Sequence, residues 1–261
     1  MTDSDNFNSI LSIQLWSLRN LGEIEAQLAV AAEAGFSIVE TIGGHLQDPD
    51  RLGRALAANG LAAPSSHVGI GDLRSDSDRV IAAAQAVGIR ELFMPAYPDD
   101  ERGTVAADWH ARGAELGTLA DKFAEAGLLL GYHNHFWEFE VADDGRLAIE
   151  SFFDGARGSA LRWQADIAWI ARGQQNPLFW LEHYRDLLVS AHVKDQAPEG
   201  QNLDQDGWCD VGAGILDWPQ LWQQARALGA GLMVLEHDNP ADPAAFARNS
   251  RDYLAKMVAR S

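Results

Sequence analysis

The feature that most restricts this chain is an alternation, repeated eight times, of short apolar runs with alanine-rich segments of helical periodicity. The apolar runs cover 9–16, 36–41, 61–68, 89–95, 128–135, 162–167, 187–194 and 232–237, each of a length suited to a strand. Between them, helices are predicted over 23–34, from Pro49 to before Gly60, and over 76–87, 104–126, 149–156, 177–184, 218–228 and 243–258. Asp48-Pro49 supplies an N-cap and a first-turn proline, while Gly35, Gly60, Gly88 and Gly127 stand where left-handed C-caps belong. Strands joined only through helices must run parallel, because a parallel pair needs a crossover connection. A closed (β/α)₈ barrel uses about 250 residues as one unit, and this chain has 261. The expectation is therefore a single α/β domain, a (β/α)₈ TIM barrel over 9–261, preceded by an irregular tail over 1–8.

Charge narrows the partners. With 38 acidic and 20 basic residues, only three of them lysine, the net charge is −18. Such a surface repels phosphodiester backbones and anionic lipid, so neither nucleic acid nor a membrane is an expected partner. Cys209 is the sole cysteine, which rules out an intrachain disulfide and suits a reducing compartment. Residues 1–8 lack the basic and apolar regions of a signal peptide, and no apolar run approaches bilayer length. A soluble, cytoplasmic protein is expected, with self-association left open.

In a barrel of this kind, chemistry gathers at the C-terminal ends of the strands. Polar residues fall at those ends: Glu40 on strand two, His67 on strand three, His133-Asn134-His135 on strand five, Asp166 on strand six, His192 on strand seven and Glu236 on strand eight. Alternation of side chains turns His133 and His135, Gln164 and Asp166, His192 and Lys194, and Val234 and Glu236 inward. Imidazoles and carboxylates converging there are either a mutually paired cluster or a metal site, since buried charge must be paired or coordinated. Mixed N/O ligation by His133, Asp166, His192 and Glu236 suits one divalent ion: Mn²⁺, Zn²⁺, Co²⁺ or Mg²⁺. Glu236 is the leading general base. Lys194 is an inward cation suited to a substrate oxygen, and Glu40 and His67 would orient hydroxyls. His67 has the bland alternative of a core histidine. Trp16, Trp137, Trp169 and Trp208 are candidate walls against which a sugar stacks. The long stretch from Asp195 to Ile215 is read as a functional loop, and Gly212 to Gly214 resembles a phosphate-cradling turn.

The string Gly131-Tyr132-His133-Asn134-His135-Phe136-Trp137-Glu138-Phe139, then Asp166, His192-Val193-Lys194-Asp195, Asp210-Val211-Gly212-Ala213-Gly214 and Glu236, resembles the xylose isomerase-like sugar phosphate isomerase/epimerase family. Tagatose 3-epimerase and inosose dehydratase belong to it. The resemblance implies one divalent ion held by Glu, Asp, His and Glu from strands five to eight. Asp166, His192 and Glu236 match those positions, but strand five carries His133 in place of glutamate. The epimerases use both metal-bound glutamates to move protons, so the second acid/base function falls to His135 or Glu138. Trp169 stands where the epimerases have a substrate-contacting histidine. Asp195 is read as a substrate contact, or else as a local ion pair with Lys194 that shapes the loop. The implied activity is metal-dependent isomerisation or epimerisation of a sugar or keto-sugar through an enediolate. The alternative is dehydration of a keto-inositol or 3-keto-glycoside.

Two other classes compete. Endonuclease IV shares this barrel superfamily, but a DNA phosphodiesterase needs a basic DNA-facing surface, which a net charge of −18 disfavours. A non-catalytic sugar-binding barrel, or a subunit of a larger enzyme, accommodates the missing strand-five glutamate, since fold does not imply activity.

Overall fold

The computed structural model describes residues 3–260, with side chains from Phe7 onward. Eight parallel strands close into a barrel: β1 Leu11–Gln14, β2 Ile38–Ile42, β3 Ala62–His67, β4 Glu91–Met94, β5 Leu129–His133, β6 Arg162–Asp166, β7 Leu188–Val193 and β8 Leu232–Leu235. The cyclic order β1-β8-β7-β6-β5-β4-β3-β2 makes each strand the neighbour of its sequence predecessor, and β1 closes the ring on β8 through Leu11–Met233, Ser12–Val234 and Ile13–Leu235.

One expectation is corrected at the N-terminus. Asp3–Ile10 forms a helix where an irregular tail was anticipated, and the same helix takes Ser9 and Ile10 out of the first strand. Its anchor is Phe7, 6% exposed, whose ring lies 6.1 Å from that of Trp222. A lone buried aromatic in a polar octet has no periodicity to announce it. Residues 1 and 2 of the anticipated tail lie outside the described residues.

The helices follow the predicted punctuation. Asp48 accepts from the Arg51 N–H and Pro49 opens Pro49–Ala58, while Gly88 closes Ser77–Val87 at φ 80°. Two segments are richer than expected. The stretch after β6 holds two helices, Ile167–Arg172 and Pro177–His183. The loop after β7 contains an antiparallel pair, Asp195–Gln196 with Trp208–Cys209.

Most of the apolar core lies between strands and helices, and includes Leu92, Met94, Leu130, Tyr132, Trp163, Ala191, Met233 and Leu235. The interior of the barrel is different. Phe93 and Val234 are buried apart from that cluster, and Gly131 leaves room for Phe93, whose ring a Cβ at Gly131 would meet at 2.7 Å. Beside them stand Ser12, Gln14, Glu40, Ser65, Gln164 and Ser190, all fully buried. Polar side chains buried in a barrel are for the most part hydrogen-bonded, although the Ser12 and Ser65 hydroxyls have no partner. Here Gln164 donates to Glu40 and to Ser190 Oγ, and Gln14 donates to Glu40. This network is the floor on which the site stands.

Candidate active site

A cavity of about 390 Å³ opens at the C-terminal ends of the strands, within the range of about 300–1,000 Å³ typical of small-molecule sites. His67, His133, His135, Glu236 and Asp238 face it from below, with Trp16, Arg102 and Trp137 around the mouth. Alternation along β5 to β8 places the ligand atoms of His133, Asp166, His192 and Glu236 within 4.8 Å of one another, all four side chains buried. A second triangle, His67, His133 and His192, shares two of those imidazoles.

Each polar side chain is oriented by another beneath it. His192 lies between two carboxylates, with Nε2 2.8 Å from Glu40 and Nδ1 3.0 Å from Glu236. Burial opposes its protonation, but Glu236 and Glu40 outweigh that and raise its pKa to about 10. Glu40 is pushed up by burial and pulled down further by His67 and His192, so it stays ionised. His67 Nε2 is 2.7 Å from Gln164 Oε1 and 3.1 Å from Glu40. His133 Nδ1 approaches the same Gln164 oxygen at 3.0 Å, and its Nε2 is 3.8 Å from Asp166 Oδ2. Burial and the neighbouring imidazoles keep His133 neutral. Asp166 spends Oδ1 as N-cap of the following helix, accepting from the Trp169 N–H at 2.9 Å, and turns Oδ2 toward the cluster.

Lys194 anchors the carboxylates. Its ammonium, fully buried, is 2.8 Å from Glu236, 2.8 Å from Asp238 and 3.2 Å from Asp166. Burial disfavours the charge, yet the three carboxylates hold the pKa above that of a free lysine. Lys194 and His192 in turn hold Glu236 well below the usual carboxylate range, against burial. Asp238 is raised by burial despite Lys194.

Several anticipated site residues sit elsewhere. Lys194 is inward, as its parity implied, but is fully buried beneath the cavity lining, where its ammonium meets carboxylates. Glu40 is likewise fully buried, with its carboxylate against His67 at 3.1 Å and His192 at 2.8 Å. Glu138 turns away from the cavity. Its carboxyl accepts from the Tyr132 hydroxyl and, at 2.7 Å, from the His135 N–H, and burial raises it to about 7. The chain folds back in a 3-10 turn at Trp137–Phe139, which carries Glu138 out of strand parity. Trp169 packs behind the site, its ring 5.4 Å from that of His135 and 5.1 Å from the Lys194 ammonium. Trp208 is fully buried beside it. Asp195 pairs with backbone instead of Lys194 or substrate: Oδ2 accepts from Gly212 N at 2.9 Å and Gly214 N at 3.3 Å, and Oδ1 from Leu216 N at 3.2 Å. The glycine turn that resembles a phosphate cradle is thus filled by the protein's own carboxylate.

His135 does face the cavity, stacked on Trp137 at 4.2 Å with its Nδ1 unpartnered. Burial and Lys194 keep it neutral. Trp16, 43% exposed, lines the opposite wall with the Arg19 guanidinium 4.2 Å from its ring. Asp238 and Arg102 escaped sequence reasoning. Asp238 lies past the end of β8, where alternation no longer places side chains. Arg102 lies on the loop after β4, whose strand end carries no polar signal.

Comparison with known proteins agrees with this architecture. Residues 28–257 match the family model described as xylose isomerase-like TIM barrel. Inosose dehydratase of Lacticaseibacillus casei is 22% identical over 191 residues, which cover 67% of this chain and 63% of that protein; the chain thus spans just under two thirds of that relative's length. A sugar phosphate isomerase/epimerase structure from Parabacteroides distasonis superposes with a TM-score of 0.77 at 20% identity, covering 96% of each chain. A D-allulose 3-epimerase from Methylomonas sp. gives 0.71 at 14%, covering 95% of this chain and 97% of its own. At these identities the structural likeness establishes the fold.

Proposed function

Since the chain belongs to the xylose isomerase-like TIM-barrel family, we propose that it is a divalent-metal-dependent isomerase or epimerase of a sugar or keto-sugar, acting by proton abstraction next to a carbonyl. The observation that carries this reading is the convergence of His133, Asp166, His192 and Glu236 under a sugar-sized cavity. The residues fit a divalent ion on charge. Glu40, Asp166 and Glu236, all buried, and the half-buried Asp238 bring four carboxylates together against the one ammonium of Lys194, and His192 would give up the proton it shares with Glu40 and Glu236 to act as a ligand. Asp166 Oδ2 faces the cluster, with the Lys194 ammonium at 3.2 Å and His133 Nε2 at 3.8 Å as its neighbours. Two imidazoles among the four donors favour Mn²⁺, Co²⁺ or Zn²⁺ over Mg²⁺. Such an ion supplies, when bound, the Lewis acidity that enolisation of a neighbouring carbonyl needs.

The chain's own residues do the rest. Glu236 borders the cavity as a carboxylate held by His192 and Lys194, which fixes its oxygens for proton abstraction. His135, neutral and stacked on Trp137, lines the cavity as an imidazole that can return the proton. Trp16, 43% exposed, offers apolar surface to a sugar ring, and Trp137, covered by His135 and Arg102, narrows the access of water.

A specific observation favours a second reading, carbon–oxygen lyase chemistry on a keto-inositol or 3-keto-glycoside. Asp238 borders the cavity two residues from Glu236 with its pKa raised by burial, the property of an acid that protonates a departing hydroxyl. The relationship to inosose dehydratase points the same way. The experiment is incubation of purified protein and Mn²⁺ with ketohexoses, keto-inositols and 3-keto-glycosides in D₂O. Deuterium entering next to a carbonyl, and abolished in Glu236→Gln, is expected; no exchange on any of them overturns proton abstraction. Loss of water from the product separates the lyase from the isomerase.

A further inference from the structure

His133 stands where the resemblance implies a glutamate, and the exchange brings a constraint that a carboxylate does not have. Either oxygen of a carboxylate can hold an ion, whereas a neutral imidazole has one nitrogen with a lone pair and one that carries the proton. Which nitrogen is which is set by the hydrogen bond that the other one makes. The partner that sets it here is Gln164, fully buried and paired with His133 across the β5–β6 ladder. The orientation of its amide follows from its neighbours. Gln164 Nε2 lies 2.8 Å from Glu40 Oε2 and 3.1 Å from Ser190 Oγ. An ionised carboxylate only accepts, so the amide nitrogen belongs on that side and Oε1 on the other.

Gln164 Oε1 then meets two imidazoles, His133 Nδ1 at 3.0 Å and His67 Nε2 at 2.7 Å. An amide oxygen has two lone pairs and no proton, so both ring nitrogens must donate to it. His67 Nε2 has Glu40 at 3.1 Å as a second acceptor, which closes that nitrogen to an ion. His133 keeps its lone pair on Nε2, the nitrogen 3.8 Å from Asp166 Oδ2. We propose that Gln164 is a positioning residue of the metal site, whose amide oxygen fixes His133 as the Nδ1–H tautomer and thereby offers Nε2, beside Asp166, to a divalent ion. The proposal rests on the metal-dependent reading of the function and names the atom that strand five contributes. It also favours the four-residue set over the three-histidine triangle, because Gln164 engages His67 and His133 with one oxygen. Without that oxygen, Asp166 Oδ2 would draw the His133 proton to Nε2 and turn a ligand into a donor.

Nitrogen NMR of the histidine rings in metal-free protein, assigned by through-bond correlation to the backbone, reads the tautomers directly. In the wild type, His133 should carry its proton on Nδ1 and His67 should carry one on Nε2. Gln164→Met removes the accepting oxygen and keeps most of the volume. In that variant the His133 proton should move to Nε2, and calorimetric affinity for Mn²⁺ should fall about 10–100-fold, the usual cost of losing a partner that orients a ligand. Thermal melting checks that the variant folds; if it does not, the wild-type tautomers decide alone. A wild-type His133 protonated on Nε2 overturns the proposal. So does a Gln164→Met protein that keeps the wild-type tautomer, or one that binds Mn²⁺ as tightly as the wild type. A wild type with the expected tautomers that binds no divalent ion would sink the metal-dependent reading and leave the hold of Gln164 on His133 standing.

Discussion

Replacing Lys194 by methionine removes a buried cation and keeps most of its volume, so the consequence is electrostatic. The ammonium stands 2.8, 2.8 and 3.2 Å from Glu236, Asp238 and Asp166. With an effective dielectric of about 20, each contact contributes roughly 5–6 kcal/mol of attraction. Dehydration of the ammonium and repulsion among the carboxylates offset most of that sum. Removing one partner of a buried ionic group typically costs about 3–5 kcal/mol net, because the remaining charges stay buried without compensation. At about 2–4 °C per kcal/mol for a chain near this size, Lys194→Met should melt roughly 6–20 °C lower. The loss should depend on pH. Lys194 holds Glu236 low in the native protein and limits the rise of Asp238, whereas in the variant burial would lift Glu236 above its unfolded value and Asp238 further still. A carboxyl with a raised native pKa destabilises above that pKa and costs nothing below its unfolded value of about 4. The difference between the two proteins should therefore be full near neutrality and close toward pH 4. The variant should also bind Mn²⁺ more tightly, since the ammonium no longer competes for Asp166 and Glu236. Thermal melts across pH, with and without Mn²⁺, measure all of this. A fall of less than about 2 °C at neutral pH would show that Lys194 is no counter-ion of consequence and refute the reasoning.

Three further outcomes follow from the same geometry. Glu138→Gln should cost about 1–2 kcal/mol, by weakening acceptance from Tyr132 and His135, while deuterium exchange stays within about threefold of wild type; a loss of exchange without a loss of stability would return Glu138 to the catalytic set. Glu91, at the start of β4, is raised by burial from 4.5 to about 7, so its native-state penalty is absent at low pH and full above pH 7. Denaturation of Glu91→Gln should accordingly show about 1–3 kcal/mol of added stability at pH 8 and none at pH 4, and equal gains at both would exclude this cause. Asp195→Ala should cost about 2–4 kcal/mol by orphaning the N–H groups of Gly212, Gly214 and Leu216. Those groups would then form an anion nest, so sulfate should raise the variant's melting temperature and leave the wild type's unchanged; equal sulfate effects on both would deny that the turn binds anions.

The fold was legible because its signals are local and redundant. Strands buried on both faces stand out as apolar runs, and the caps at Asp48 and Gly88 mark helix ends independently of them. Parity also brought His133, Asp166, His192 and Glu236 together correctly, since alternation is rigid inside a paired strand. It stopped where pairing stops. Glu138 in its 3-10 turn, Asp195 in the hairpin after β7 and Asp238 beyond β8 all lie past the barrel ladder, where individual partners decide direction: Tyr132 and the His135 N–H for Glu138, the backbone of Gly212, Gly214 and Leu216 for Asp195, and Lys194 for Asp238. Glu40 and Lys194 show a different limit. Alternation turned Lys194 inward and position at a strand end singled out Glu40, but depth along the barrel axis depends on side-chain reach and on which partner claims the charge first. His192 and His67 claim Glu40, and three carboxylates claim Lys194.

Charge at the mouth also separates candidate substrates. Glu40, Asp166, Glu236 and Asp238 outnumber Lys194 and His192, so the floor of the cavity keeps an excess of negative charge that favours a divalent cation. The glycine turn best shaped for a phosphate already holds the Asp195 carboxylate, and a Cβ at Gly214 would meet that carboxylate at 2.1 Å. Arg102, the one arginine or lysine lining the cavity among the described residues, is paired with Asp99 and stacked on Trp137. A sugar phosphate would meet carboxylates without a free side-chain cation to compensate, whereas an uncharged sugar loses nothing to this field and gains the indole surface of Trp16. The same electrostatics that suit the site to a metal thus argue for a neutral substrate, although the structural relative from Parabacteroides distasonis carries a sugar phosphate name.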